Sequence, residues 1–227
     1  MKTAFITGAN RGLGLEFVRQ LTAKNYRVFA GCRRPDRAGR LAELIPAEQL
    51  LAIDISDPSS INTACGLLLE RTAVLSLLIN NAGIGGEADQ SLEAVDYNLA
   101  LATFKTNTLG PLQVTRHLLP ALTSGTVIAN ISSRMGSVAD NGSGGYYGLR
   151  LSKAALNMVS KNISLELAGR GIIVLNLHPG WVRTDMGGPD APLTVSESIA
   201  GMLQVIDQAG IADSGKFIDY RGNELPW

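Results

Sequence analysis

Short apolar runs rich in β-branched residues alternate along this chain with longer stretches in which apolar positions recur every three or four residues. Lys2–Thr7, Arg27–Gly31, Leu50–Asp54, Val74–Asn80, Thr126–Ile131, Gly171–Leu177 and Gly215–Tyr220 read as strands. Gly12–Lys24, Asp36–Ile45, Pro58–Glu70, Leu101–Leu122, Tyr147–Leu167 and Val195–Gln208 read as helices. Runs such as Val74–Ile79 are apolar without alternation, the mark of a strand covered on both faces, and strand–helix alternation closes into a parallel sheet by right-handed crossovers. The pattern predicts a single doubly wound α/β domain with helices on both faces, free of internal repeats and linkers. In such a sheet ligands bind beyond the carboxyl ends of the strands, so that is where function is sought.

Composition changes this picture mainly by exclusion. With 227 residues, 45% of them apolar, the chain is long enough for one well-buried core. Twenty basic and twenty acidic side chains cancel and no run of Lys or Arg occurs, which excludes nucleic acid or an anionic membrane as the main partner. Cys32 and Cys65 fall in no CxxC or Cys/His pattern, so neither a disulfide framework nor a metal site is expected. No apolar run approaches the ~18–20 residues of a membrane span, and the first residues lack a signal-like stretch. A soluble cytoplasmic protein is expected.

The first strand runs into Thr7-Gly8-Ala9-Asn10-Arg11-Gly12-Leu13-Gly14. Glycines allow a tight turn and a close backbone approach, and a helix starting near Gly12 offers free N–H groups to a phosphate. Strand–helix turns also take glycine for steric reasons alone, but a place at the first crossover favours a dinucleotide. The second strand ends in Ala30-Gly31-Cys32-Arg33-Arg34, without the carboxylate that accepts from a free ribose 2′-hydroxyl. Arg33, with Arg11 as a second guanidinium, fits a 2′-phosphate, against the plainer reading of solvated surface arginines. The expected cofactor is therefore NADP(H) in preference to NAD(H). Asp54 reads as an acceptor for the adenine amino group or as an ordinary cap. Asn80-Asn81-Ala82-Gly83 places amides where the chain turns beside the cofactor, although Asn80 reads equally as a tie between strands.

These motifs, followed in order by Asn107, Asn130-Ile131-Ser132-Ser133, Lys153 and Pro179-Gly180, resemble the short-chain dehydrogenase/reductase family from residue 3 to 184. Met186–Met202 and Gly215–Trp227 resemble its C-factor/sniffer-like carbonyl reductase branch. The resemblance implies a Rossmann sheet of seven parallel strands and hydride transfer between a nicotinamide and a carbonyl or alcohol. It also implies a homodimer or homotetramer packed through the helices at Leu101–Leu122 and Tyr147–Leu167. By the same resemblance the cofactor is bound by Gly8, Asn10, Arg11, Gly12, Leu13, Gly14, Arg33, Asp54, Ile55, Asn81, Ala82, Gly83, Lys153, Pro179, Gly180, Val182 and Thr184. The Val182 backbone and the Thr184 hydroxyl would meet the nicotinamide carboxamide.

For catalysis the family sets a Tyr four residues before a Lys. That spacing, about 400° of rotation and ~6 Å of rise, puts both on one helix face. The ammonium draws the phenol pKa down from ~10, and the phenol protonates the carbonyl oxygen. A Ser at the fifth strand end holds the carbonyl, and an Asn on the earlier helix anchors a water. Asn107, Ser133 and Lys153 match these positions; the Tyr position holds Leu149. Tyr147 lies ~120° off the face of Lys153 and Tyr146 ~10 Å along the axis, so only an irregular first turn around Gly144, Gly145 and Gly148 would bring either in.

The expectation is a reductase of a small apolar carbonyl or alcohol that binds NADP(H) normally but turns over poorly, lacking its proton donor. Two alternatives stay open: a cofactor-binding signalling protein with little turnover, and a reductase of imines or activated alkenes. Trp181, Tyr146, Tyr147, Met135 and Met186 are candidates for an apolar pocket and equally for ordinary packing. His117 and His178 read as structural. The Gly- and Pro-rich Met186–Leu193 reads as a mobile segment, part of a substrate lid over 186–200.

Overall fold

The computed structural model describes residues 1–85 and 91–227. Its strands are β1 (Thr3–Thr7), β2 (Arg27–Cys32), β3 (Leu50–Ala52), β4 (Leu75–Asn80), β5 (Leu122–Ile131), β6 (Ile173–His178) and β7 (Phe217–Asp219). They form one seven-stranded sheet in the order β3-β2-β1-β4-β5-β6-β7, each neighbouring pair parallel. The crossovers reverse direction between β1 and β4, which opens a crevice at the carboxyl ends of those two strands.

The helices are α1 (Gly12–Ala23), α2 (Gly39–Ala42), α3 (Pro58–Arg71), α4 (Tyr97–Phe104), α5 (Gly110–Leu118), α6 (Tyr147–Leu167) and α7 (Val195–Gln208). Adjacent strand residues serve opposite cores, which is why the strands read as unbroken apolar runs. Ile6, Ile79, Ala129 and Leu175 face Phe17, Val18 and Leu21 of α1 and Ile199, Met202 and Leu203 of α7. Their neighbours Phe5, Leu78, Ile128 and Val174 face Ile61 and Leu68 of α3, Val114 and Leu118 of α5, and Ile163 and Leu167 of α6. Each such buried large side chain contributes about 1.5–3 kcal/mol of transfer free energy. Among the described residues no helix is long and apolar enough to cross a membrane, and Cys32 and Cys65 are buried free thiols.

Two helices depart from the sequence reading. The expected helix over Asp36–Ile45 contracts to α2, preceded by a 3₁₀ turn at Pro35–Arg37. That stretch offers the core Ala38, Leu41 and Ile45 with a partly buried Leu44, too little to hold a longer helix containing Gly39. The expected helix over Leu101–Leu122 begins earlier, at Tyr97, where the Asp96 carboxylate accepts from the N–H groups of Asn98 (2.8 Å) and Leu99 (3.1 Å). A π-helical turn, Lys105–Leu109, then separates α4 from α5. Pro111 has no N–H to give the carbonyl four residues back, that of Asn107, so the helix rewinds there. Pro120 ends the helical run, and β5 starts at Leu122, four residues before the expected Thr126.

The crevice depends on close packing of the β1–α1 turn. Gly8 has φ +66°, and a Cβ on Gly14 would lie 2.2 Å from the Gly8 carbonyl oxygen and 2.7 Å from Asn81 Nδ2. Gly66, by contrast, lies on the exposed face of α3 with nothing within 4 Å. Gly14→Ala should therefore lower the urea-unfolding free energy by about 1–3 kcal/mol, whereas Gly66→Ala should raise it by about 0.5–1 kcal/mol. Equal effects of the same sign would contradict the packing described.

Candidate functional site

The turn Gly8–Gly14 is bound to the end of β4 rather than left free. The Asn81 amide donates to the carbonyls of Thr7 (3.0 Å) and Gly8 (3.1 Å). The Thr7 hydroxyl in return accepts from the N–H groups of Asn81 and Ala82, both at 3.1 Å. A Cβ on Gly8 would lie 2.7 Å from the Ala82 Cα, so β1 and β4 meet backbone to backbone. Among the described residues no side chain caps the N-terminus of α1, and the N–H groups of a helix's first turn are a donor set suited to a pyrophosphate. Asn80 does what its bland reading proposed. Its amide donates to Asn130 Oδ1 (2.8 Å) on the neighbouring strand and to Thr115 (3.2 Å), away from the crevice.

Lys153 lies on α6 with its ammonium buried, donating to the Ile131 carbonyl at the end of β5 (2.7 Å). Burial lowers its pKa from the ordinary 10.5 to about 8. Asn107, in the π turn, reaches the same place. Its amide donates to the Ile84 carbonyl (2.8 Å) and to Ser152 Oγ (3.0 Å), and its Oδ1 accepts from the Ile84 N–H (2.9 Å). A Cβ on Gly83 would be 3.0 Å from Asn107 Oδ1 and 3.8 Å from Lys153 Nζ, so Asn81–Gly83, Asn107 and Lys153 share one end of the crevice. Ser152, beside Lys153, is a member the sequence reading missed; its hydroxyl links Asn107 to the Leu149 carbonyl (2.9 Å).

The residue one turn before Lys153 is Leu149, in a regular part of α6. Tyr146 precedes the helix with φ +51°, about half-exposed, and Tyr147 opens it. The first turn is thus not distorted in a way that carries either phenol to the Leu149 position.

On the other side of β5, Ser133 opens the 3₁₀ turn Arg134–Gly136, and its Oγ accepts from the Met135 N–H (3.1 Å). That leaves its own O–H to donate. The preceding Ser132 is buried and committed to Asn157 Oδ1 (2.6 Å). Ser133 lines a cleft of about 580 Å³ beyond β5, β6 and β7. Met135 and Trp181 line it too, whereas Tyr146, Tyr147 and Met186 do not; Met186 lies against Gly85. The remaining wall is far more polar than expected, with Arg134, Arg150, Arg221, Asp140, Asp219 and His178. His178 Nδ1 accepts from the Arg134 N–H (3.2 Å), and burial, helped by the Arg134 charge, pushes its pKa down to about 4.

The other expected cofactor residues divide into two groups. Arg33 is exposed just past β2. Burial alone would raise the Asp54 pKa, but hydrogen bonds from the Ser56 hydroxyl (2.7 Å) and N–H (2.9 Å), aided by the Arg33 and Lys105 charges, hold it below the usual range. Ile55 is buried against Gly110, and Asn10 is exposed. The segment after β6 reaches back to the glycine turn: Arg11 pairs with Asp185, and Gly12 lies close to Thr184. Pro179 is held by Ser198 Oγ on α7 (2.6 Å), and Val182 bridges to Leu193. Within 186–200, Trp181 Nε1 donates to the Gly187 carbonyl (2.7 Å), and 195–200 belong to α7, with Ile199 fully buried and a capping box between Thr194 and Glu197.

A sheet with this order, a glycine turn clasped to the β4 end, and a buried Lys beside an Asn-bearing π turn invite comparison with known proteins. A family model described as short chain dehydrogenase matches residues 2–192. C-signal of Myxococcus xanthus is 49% identical over 158 residues, which cover 69% of this chain and 95% of that protein. The carbonyl reductase Sniffer of D. melanogaster matches with a TM-score of 0.93 and 34% identity over 100% of both chains. An NADPH-bound carbonyl reductase from chicken fatty liver matches with a TM-score of 0.92 and 36% identity, over 100% of this chain and 99% of that one. The family match spans all three parts of the site, from the glycine turn through Lys153 to Thr184, and the chain belongs to the short-chain dehydrogenase family.

Proposed function

We propose that this oxidoreductase uses NADP(H) to reduce small carbonyl compounds, or oxidise the matching alcohols, with its proton-donating step impaired. The observation that carries the reading is the Lys153 ammonium, buried at the crevice end beside Asn107 and Gly83, with Leu149 one helical turn before it. Bound in the crevice, a nicotinamide dinucleotide supplies the hydride. The first-turn N–H groups of α1 would hold its pyrophosphate, and Arg33 would take the 2′-phosphate. Arg11 has one arm on Asp185 and further donors to offer a phosphate. Lys153 would hold the ribose hydroxyls, and Pro179, Gly180, Val182 and Thr184 would hold the carboxamide.

Ser133 donates its O–H to the substrate oxygen, with the substrate's apolar body resting on Met135 and Trp181. What is missing is an acid beside that oxygen. Leu149 has no proton to give, and Ser133, whose hydroxyl is a weak acid, is a poor substitute. NADP(H) preference is supported by Arg33 standing where a carboxylate would select NAD(H), and by the NADPH-bound relative. A second reading is a cofactor-binding signalling protein with little turnover; Leu149 and the 49% identity to C-signal favour it.

Leu149→Tyr separates the two. It should raise NADPH-dependent carbonyl reduction by about 10²–10⁴-fold while leaving NADPH affinity, read by fluorescence titration, within a factor of two or so. No gain across a panel of aldehydes, ketones and quinones would contradict the reductase reading and favour the signalling one. Arg33→Ala should weaken NADPH about tenfold, the loss of one charge-assisted contact to a phosphate, and leave NADH unchanged. Parallel weakening of both dinucleotides would remove Arg33 from the 2′-phosphate.

A further inference from the structure

The cleft beside Ser133 carries more positive charge than a site for a neutral ketone requires. Three guanidiniums face it from three different elements: Arg134 after β5, Arg150 on α6 and Arg221 after β7. Two carboxylates share the space, so three positive charges stand against two negative ones, and the partnering is uneven. Asp140 is paired with Arg134 at 3.0 Å. Asp219 is turned into its own loop, accepting from the N–H groups of Arg221 (2.8 Å) and Asn223 (2.9 Å) and from Asn223 Nδ2 (3.0 Å).

Arg150 and Arg221 have no carboxylate partner among the described residues. The fork of Arg150 is spent on neutral acceptors, the carbonyls of Gly144 (3.2 Å) and Gly145 (3.1 Å) and Ser143 Oγ (2.8 Å). These bonds fix its position without cancelling its charge. The Arg221 guanidinium lies over the Tyr220 ring, 5.1 Å from its centroid, which holds it in place and again leaves the charge unneutralised. With three guanidiniums against two carboxylates, and two of the guanidiniums without a carboxylate partner among the described residues, the cleft favours an anionic group over a neutral one.

We infer that the substrate carries, besides its carbonyl, an anionic group such as a carboxylate, held by Arg150 and Arg221 while the carbonyl oxygen reaches Ser133. This rests on the reductase reading and narrows its substrate class from a wholly apolar carbonyl to an oxoacid-like one. The apolar surfaces of Met135 and Trp181 then serve the body between the two ends.

The test uses two probes that share the aldehyde and ring and differ at the carboxyl end, one anionic and one neutral: 4-formylbenzoate and its methyl ester, titrated into the full chain by calorimetry with and without NADP⁺. The acid should bind about tenfold more tightly than the ester, the sum of two modest rim contacts, and 0.5 M salt should erase most of the difference. Arg221→Gln, whose guanidinium touches only a ring, and Arg150→Gln, which also loosens the Gly144–Gly145 turn, should each reduce the ratio several-fold. In a Leu149→Tyr background the loss should appear in KM for the acid and not in kcat for the ester. Equal binding of the two probes, or a preference that survives both substitutions, overturns the inference. Failure of NADP⁺ to bind would instead overturn the reductase reading, while the probe ratio on the cofactor-free chain still decides this one.

Discussion

A lysine ammonium buried against a backbone carbonyl is the constraint around which the site is organised. Among the described residues no carboxylate pairs with Lys153 to offset the loss of water, and its ammonium donates to the Ile131 carbonyl. Lowering its pKa from 10.5 to about 8 corresponds to roughly 3 kcal/mol of stability given up at neutral pH. A fold retains a cost of that size when the charge has work to do, and here the cation lies where the crevice between β1 and β4 meets the end of β5. The hydrophobic layers on both faces of the sheet supply the stability from which that cost is met.

The surrounding structure serves to keep that ammonium in register with the crevice. The π turn at Lys105–Leu109 aims Asn107 at both backbone groups of Ile84 and at Ser152, so the loop after β4 is bound to α6 one residue from Lys153. The clasp between Thr7 and Asn81 does the same for the glycine turn. Thus three elements far apart in sequence present one continuous wall, and the departure from regular helix at Asn107 is part of how it is built. Leu149 belongs to this frame through its backbone, since its carbonyl receives the Ser152 hydroxyl.

The strands and long helices were legible because each strand residue serves one of two cores, a pattern that survives in the bare order of apolar residues. The glycine turn and Asn81–Gly83 could be read from their places after strands, whereas Asn107, Ser133 and Lys153 were singled out by the family resemblance. The π turn was not, because apolar spacing runs straight through Lys105–Leu109 and only Pro111 hints at the missing hydrogen bond. The length of α2 was not, because a few core contacts, not local preference, decide it. The charged cleft escaped for another reason. Arg134, Arg150 and Arg221 come from three elements, and each alone looks like a solvated surface residue; only the folded sheet brings them together. Tyr146 and Tyr147, read equally as pocket or packing residues, do not line the cleft.

The most direct test of this account is the titration of the Lys153 amine itself, followed by NMR in protein with labelled lysine side chains and assigned with Lys153→Arg. The account predicts a midpoint near 8, far below the ordinary 10.5. The unfolded chain keeps the proton to higher pH than the folded one, so the penalty is full below about 8 and fades as pH rises through 10.5, and this group's contribution to stability rises with pH over that window. An amine titrating at its ordinary value would mean that the ammonium is solvated, and the organising constraint would be gone.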